Sequence, residues 1–84
     1  MKSQELFEQL GYERKEDAKF IQYTLTKTLD ADLRVIKKVF ITFDKLAGYY
    51  YIEGVDMGKP AITKLTAPLH YAIHKQILEL GWIE

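Results

Sequence analysis

Ile77-Leu78-Glu79-Leu80-Gly81-Trp82, near the end of the chain, repeats the form of Phe7-Glu8-Gln9-Leu10-Gly11-Tyr12 near its start. Both read apolar, two variable residues, Leu, Gly, aromatic. That order is what a helix needs if it stops on a left-handed glycine and folds the next apolar side chain back onto its last turn. The two segments predict a helix at each end of the chain, each with its own stop. The residues between them are left to be read as sheet.

Working outward, Ser3 is placed to cap the first helix, with Leu6, Phe7 and Leu10 as its apolar side. Two turns of helix do not persist alone in water, so this face must dock. The last helix is expected to begin at Thr66 or Ala67, with Pro68 in the first turn, where a missing N–H costs nothing. Leu69, Ile73, Ile77 and Leu80 fall in one stripe at 100° per residue, flanked by Ala72.

Between the helices the periodicity changes. Glu13-Arg14-Lys15-Glu16-Asp17 reads as a solvated charged linker. From Lys19 the alternation has period two, with Ile21, Tyr23 and Leu25 on one face and Gln22, Thr24 and Thr26 on the other. Asp30-Ala31-Asp32 reads as a turn. The next strand sets Leu33, Val35, Val39, Ile41 and Phe43 against a mixed face of Arg34, Ile36, Lys38, Phe40 and Thr42. Asp44-Lys45-Leu46-Ala47-Gly48 suits a hairpin, and Tyr49 to Val55 pairs back. Asp56 to Pro60 is a further turn, and Ala61-Ile62-Thr63 an optional edge strand. The expected fold is a single α+β domain over residues 1–84: a two-layer sandwich of an antiparallel three- to four-stranded sheet with a short N-terminal and a longer C-terminal helix.

Eighty-four residues, 48 % of them apolar, support one thin core, since a chain of this size buries only about 60–65 % of its unfolded surface. With no cysteine, neither a disulfide nor a thiolate metal site can reinforce it, and association is the remaining common route. Twelve basic residues balance twelve acidic ones, which removes the overall footprint of a nucleic-acid binder. The balance is uneven, however: residues 18–45 carry six basic and three acidic groups. No apolar run approaches a membrane span and no secretory leader opens the chain, so a soluble, cytoplasmic protein without membrane contact is expected.

No residues form a catalytic constellation. Asp30 and Asp32 belong to a turn, and Gly54-Val55-Asp56-Met57-Gly58-Lys59 lacks phosphate-loop spacing. His70 and His74, four apart on a helix, have no third ligand at the next step, where Leu78 stands. Neither a cofactor nor a metal is expected, and the chain reads as a non-enzyme. The surplus is apolar. Tyr71 and Leu78 lie opposite the core stripe of the last helix, and Ile36, Phe40 and the run Tyr49, Tyr50, Tyr51 exceed what one helix covers. Isolated surface hydrophobes and a well-formed strand explain them blandly. A protein contact surface explains them functionally. An aromatic sheet face beside Arg34, Lys37 and Lys38 would also suit single-stranded nucleic acid, although the RNP-type pattern is absent.

The segments Leu6-Phe7-Glu8-Gln9-Leu10-Gly11-Tyr12 and Ala72-Ile73-His74-Lys75-Gln76-Ile77-Leu78-Glu79-Leu80-Gly81-Trp82 resemble the ends of small uncharacterised phage and prophage proteins of Gram-positive bacteria. The resemblance covers the termini and implies a phage-encoded accessory protein in a bacterial cytoplasm. It implies no reaction and transfers no functional residue. The leading expectation is a non-enzymatic accessory protein that binds protein, either itself as a homodimer or a host or phage partner. The alternative is a nucleic-acid-binding module, and a third reading is small-ligand capture between protomers.

Overall fold

The computed structural model describes residues 1–29 and 34–83, apart from the side chains of residues 29 and 34–36. The Asp30-Ala31-Asp32 turn and Leu33 lie outside the described residues. The elements run α1 (Ser3–Gln9), β1 (Glu13–Glu16), β2 (Phe20–Leu29), β3 (Arg34–Asp44), β4 (Tyr49–Asp56), β5 (Lys59–Pro60) and α2 (Ala67–Glu79). The strands form one antiparallel meander in the order β1-β2-β3-β4-β5, and the α+β reading holds.

Both helix stops form as the repeated segments require. Gly11 has φ +93° and Gly81 φ +75°. Gly11 N–H donates to the Glu8 carbonyl and Tyr12 N–H to that of Phe7, both at 3.0 Å. Gly81 N–H reaches Leu78 at 3.0 Å and Trp82 N–H reaches Ile77 at 3.3 Å, the same paired closure. The aromatic that follows each glycine returns to the core: Tyr12 meets Phe7 edge-on at 5.7 Å, and Trp82 lies 6.1 Å from Phe43.

The core fills one side of the sheet. Ile21 and Tyr23 of β2 and Val39, Ile41 and Phe43 of β3 are buried against Phe7 of α1 and Leu69, Ala72 and Ile73 of α2. Phe7 stacks on Tyr23 with ring centroids 3.7 Å apart and planes 14° off parallel. Each helix thus lies on the same face.

Three local readings are corrected. Glu13–Glu16 is an edge strand, in register Glu13 with Thr24 and Glu16 with Ile21, and not a linker. The short edge strand after β4 is Lys59–Pro60 and not Ala61–Thr63. A two-residue turn with positive φ at Met57 (52°) and Gly58 (77°) starts the pairing early, and past Pro60 a single backbone bond continues it, from Ala61 N–H to the Gly54 carbonyl at 2.9 Å. Lys2, not Ser3, is the α1 N-cap; its amide donates to Glu5 Oε1 at 3.3 Å. Ser3 is buried within the first turn.

Gly54 marks a close approach. A β-carbon there would lie 2.6 Å from both the Ala61 carbonyl and Thr63 Oγ1, so the segment after β5 crosses β4 in the space this glycine leaves. Thr63 Oγ1 is itself buried and without a hydrogen bond among the described residues.

Gly81→Val is expected to lower the unfolding free energy by well over ~1 kcal/mol, because a β-branched residue resists positive φ. Phe7→Ala is expected to cost about 3–5 kcal/mol. Denaturant unfolding of each variant checks both, and an unchanged midpoint for Gly81→Val would count against the helix-stop reading.

Candidate interaction surfaces

A buried polar chain ties the two ends of the protein together. Tyr23 is inaccessible to solvent along with its neighbour Phe7, yet its hydroxyl must be satisfied. It donates to Gln76 Oε1 at 2.6 Å and accepts from Arg14 Nη1 at 2.9 Å. Ser3 Oγ lies 2.5 Å from Glu79 Oε1 and 3.0 Å from Gln76 Oε1. One hydroxyl carries one proton, and the shorter contact to the carboxylate takes it. The Ser3 amide also donates to Glu79 Oε2 at 2.8 Å, so a carboxylate from α2 satisfies a free donor at the start of α1. Lys2 has no side-chain acceptor, and Glu79 supplies one to the Ser3 amide from 76 residues away.

Burial pushes the Tyr23 phenol above its ordinary value. Ser3 and the Arg14 guanidinium oppose that rise, while the Glu79 carboxylate adds to it. Burial raises Tyr12 in the same direction. On the rim, Glu16 is held below the usual carboxylate range, first by its hydrogen bond to Lys45 and next by that to Arg14. Those contacts measure 2.9 and 2.7 Å. With the carboxylate largely exposed they add little stability. This chain of groups is architectural, since the buried Tyr23 and Ser3 hydroxyls are both paired inside the fold.

Among the described residues, no helix covers the far side of the sheet. In the register of β2, β3 and β4, Gln22, Thr42 and Tyr51 form one row, and Thr24, Phe40 and Glu53 the next. Phe20 and Tyr49 flank the first row through Asp44. Gln22 Nε2 donates to Thr42 Oγ1 at 3.1 Å, and Phe20 and Tyr51 stand on either side of that pair around a shallow depression of about 350 Å³. Tyr49 and Tyr51 are 54 % and 40 % exposed, with rings 6.3 Å apart. Charges on this face are mixed: Glu13 and Lys15 on β1, Lys38, Asp44 and Glu53 farther in.

The residues singled out in the sequence therefore separate into groups. Phe40, Tyr49 and Tyr51 share the open face. Tyr50 does not join them; period two turns it to the helix side, where it stacks on Phe43 at 5.3 Å. Tyr71 and Leu78 are exposed on the outer side of α2, across the molecule from the open face. The side chains of Ile36 and Arg34 lie outside the described residues. Lys37 and Lys38 are adjacent on a strand and so face opposite ways. Lys38 stays on the open face, its ammonium 5.9 Å from the Phe40 ring centre, while Lys37 belongs to the helix side. The basic trio proposed for nucleic acid is not one surface. His70 and His74 are exposed, and among the described residues no three potential metal ligands cluster. No helix among them is long and apolar enough to cross a membrane.

The chain matches no family model, no curated protein and no solved structure.

The raised phenols give a pH signature. Each neutral phenol is favoured by the fold, so its contribution is complete below about pH 10, the ordinary tyrosine value, and is lost as pH rises through the higher folded-state value. Thermal stability is expected to fall above about pH 10, with Tyr23→Phe weakening that dependence. The same variant should cost about 1–3 kcal/mol at neutral pH by stranding Gln76 and Arg14. An identical alkaline drop in wild type and variant would remove Tyr23 from the linkage.

Proposed function

We propose that this protein is a non-enzymatic binding protein that acts by protein–protein association through the open face of its sheet, with a second copy of itself as the first occupant. The observation that carries the proposal is the placement of both helices on one face. Phe20, Phe40, Tyr49 and Tyr51 are thereby left on the other with no covering layer.

Two further features support a face-to-face contact over an edge-to-edge one. Edge β1 is four residues long and wholly charged, and edge β5 is two residues ending in proline. Both are devices that discourage strand addition. The open face also carries Glu13, Asp44 and Glu53 beside Lys15 and Lys38, a near-balance that lets a two-fold partner meet opposite charges. Two such sheets packed about 10 Å apart would make a helix–sheet–sheet–helix assembly. That balance gives little support to the nucleic-acid reading, which needs excess positive charge on the stacking face. The resemblance of the two termini to phage and prophage proteins fits an accessory factor working in a bacterial cytoplasm.

Sedimentation equilibrium over a wide concentration range tests the proposal. Wild type is expected to reach twice the monomer mass, and Phe40→Glu with Tyr51→Glu to remain monomeric with an unchanged circular-dichroism spectrum. A wild type that stays monomeric at high micromolar concentration overturns self-association. A dimer indifferent to those changes but broken by Tyr71→Glu with Leu78→Glu moves the interface to α2.

A further inference from the structure

We infer that the opposite, helix-bearing side of the molecule holds a binding cleft for a small amphipathic anion, a carboxylate or comparable head group on an apolar body. The cleft, of about 360 Å³, lies where the end of α1, the start of α2 and the sheet between them meet. This is the low end of the range for small-molecule sites. Leu25 and Val39 form its floor, and Leu10 and Leu69 its apolar walls.

Three lysines, Lys27, Lys37 and Lys64, line the same cleft, and among the described residues no carboxylate lines it. Among the described residues none of the three has an acidic oxygen within 4.0 Å, since the two ion pairs present are Arg14–Glu16 and Lys45–Glu16. Lys27 and Lys37 are direct cross-strand partners, and alternation from Leu25 and Val39 puts both on the helix side. Like charges so placed, with β-carbons about 5 Å apart, destabilise a ladder. The next position in that row is Asp56, facing Lys37 from β4, and beyond it is Lys59. Among the described residues, one acid stands with these basic groups, which leaves the mouth of the cleft positive.

An anionic head between Lys27 and Lys37 relieves their repulsion while its apolar body covers Leu25 and Val39. The start of α2 contributes field more than donors. The Leu69 amide is taken by Thr66 Oγ1 at 3.3 Å, the His70 amide by the Thr66 carbonyl, and Pro68 has none. The head group is therefore recognised by ammonium groups, and its exact geometry is loosely specified. A compact patch of this extent does not track a polyanion, and apolar walls do not favour inorganic phosphate.

Octanoate is the probe, with octanol and inorganic phosphate as its two halves, followed by amide chemical shifts on the intact chain. Octanoate is expected to saturate one site, to shift Leu10, Leu25, Val39 and Leu69, and to bind at least about tenfold more tightly than either half. Lys37→Gln with Lys64→Gln should weaken octanoate about tenfold or more while leaving octanol binding unchanged and without lowering the melting temperature, since removing Lys37 relieves its repulsion with Lys27. Rising salt should weaken octanoate as well. Octanol binding as tightly as octanoate, phosphate alone doing so, shifts confined to the open sheet face, or no saturation at millimolar octanoate would each overturn the inference.

Discussion

The contact between Phe7 and Tyr23 is the constraint on which the other parts depend. A seven-residue helix has no stability of its own, and α1 exists because Phe7 lays its ring flat on a core tyrosine of β2. The same tyrosine cannot be buried unless its hydroxyl is paired, and Gln76 on α2 is the group that accepts from it. Gln76 is in turn held beside Ser3 on α1. One aromatic stack and one polar chain therefore fix three elements at once, and they join residues that are 76 positions apart in sequence. Truncating any member leaves a buried polar group unpaired, which costs more than the bond it lost.

That arrangement decides what the surface offers. Had α1 crossed to the far side of the sheet, the chain would have closed both faces and left little to explain. By docking on Tyr23 and against α2, it thickens one layer and leaves the other absent. Five strands then present aromatic and charged side chains to solvent with edges too short or too charged to recruit another strand. The proposed binding function rests on where the hydrophobic layer stops, which is a property of packing rather than of any motif.

The parts of this fold that were legible in sequence are those governed by local rules. Gly11 and Gly81 announce helix ends because few other residues accept a positive φ, and the aromatics that follow them have a short-range reason to turn back. The alternation in β2 and β3 reports which side chains meet the core. β1 was illegible for the opposite reason: Glu13-Arg14-Lys15-Glu16 has no apolar face. It pairs because Tyr12 is anchored at one end, Asp17 accepts the Lys19 and Phe20 amides at the other, and Arg14 reaches Tyr23 between them. Ser3 looked like a cap because caps are serines, whereas its partner came from the far end of the chain. Gln76 in a helix reads as a surface residue until the tyrosine it serves is placed beside it. Of the candidate surface, Phe40, Tyr49 and Tyr51 were legible as a set once strand parity was applied. The same parity removes Tyr50, and it parts Lys37 from Lys38.

Net charge carries a related lesson about scale. A chain with equal numbers of acids and bases repels no polyanion and attracts none at long range. A bound group, however, feels only the charges within roughly 8–10 Å of it at ordinary ionic strength. The alternation that splits Lys37 from Lys38 sends one ammonium to an open face already balanced by glutamates and the other to a cleft where it meets Lys27 and Lys64. The overall zero thus conceals a positive cleft on one side of the sheet, offset by acidic groups elsewhere in the chain. Neutral composition gives little support to an extended polyanion as partner. It says nothing against a small anion, and the register of two strands is what separates these cases.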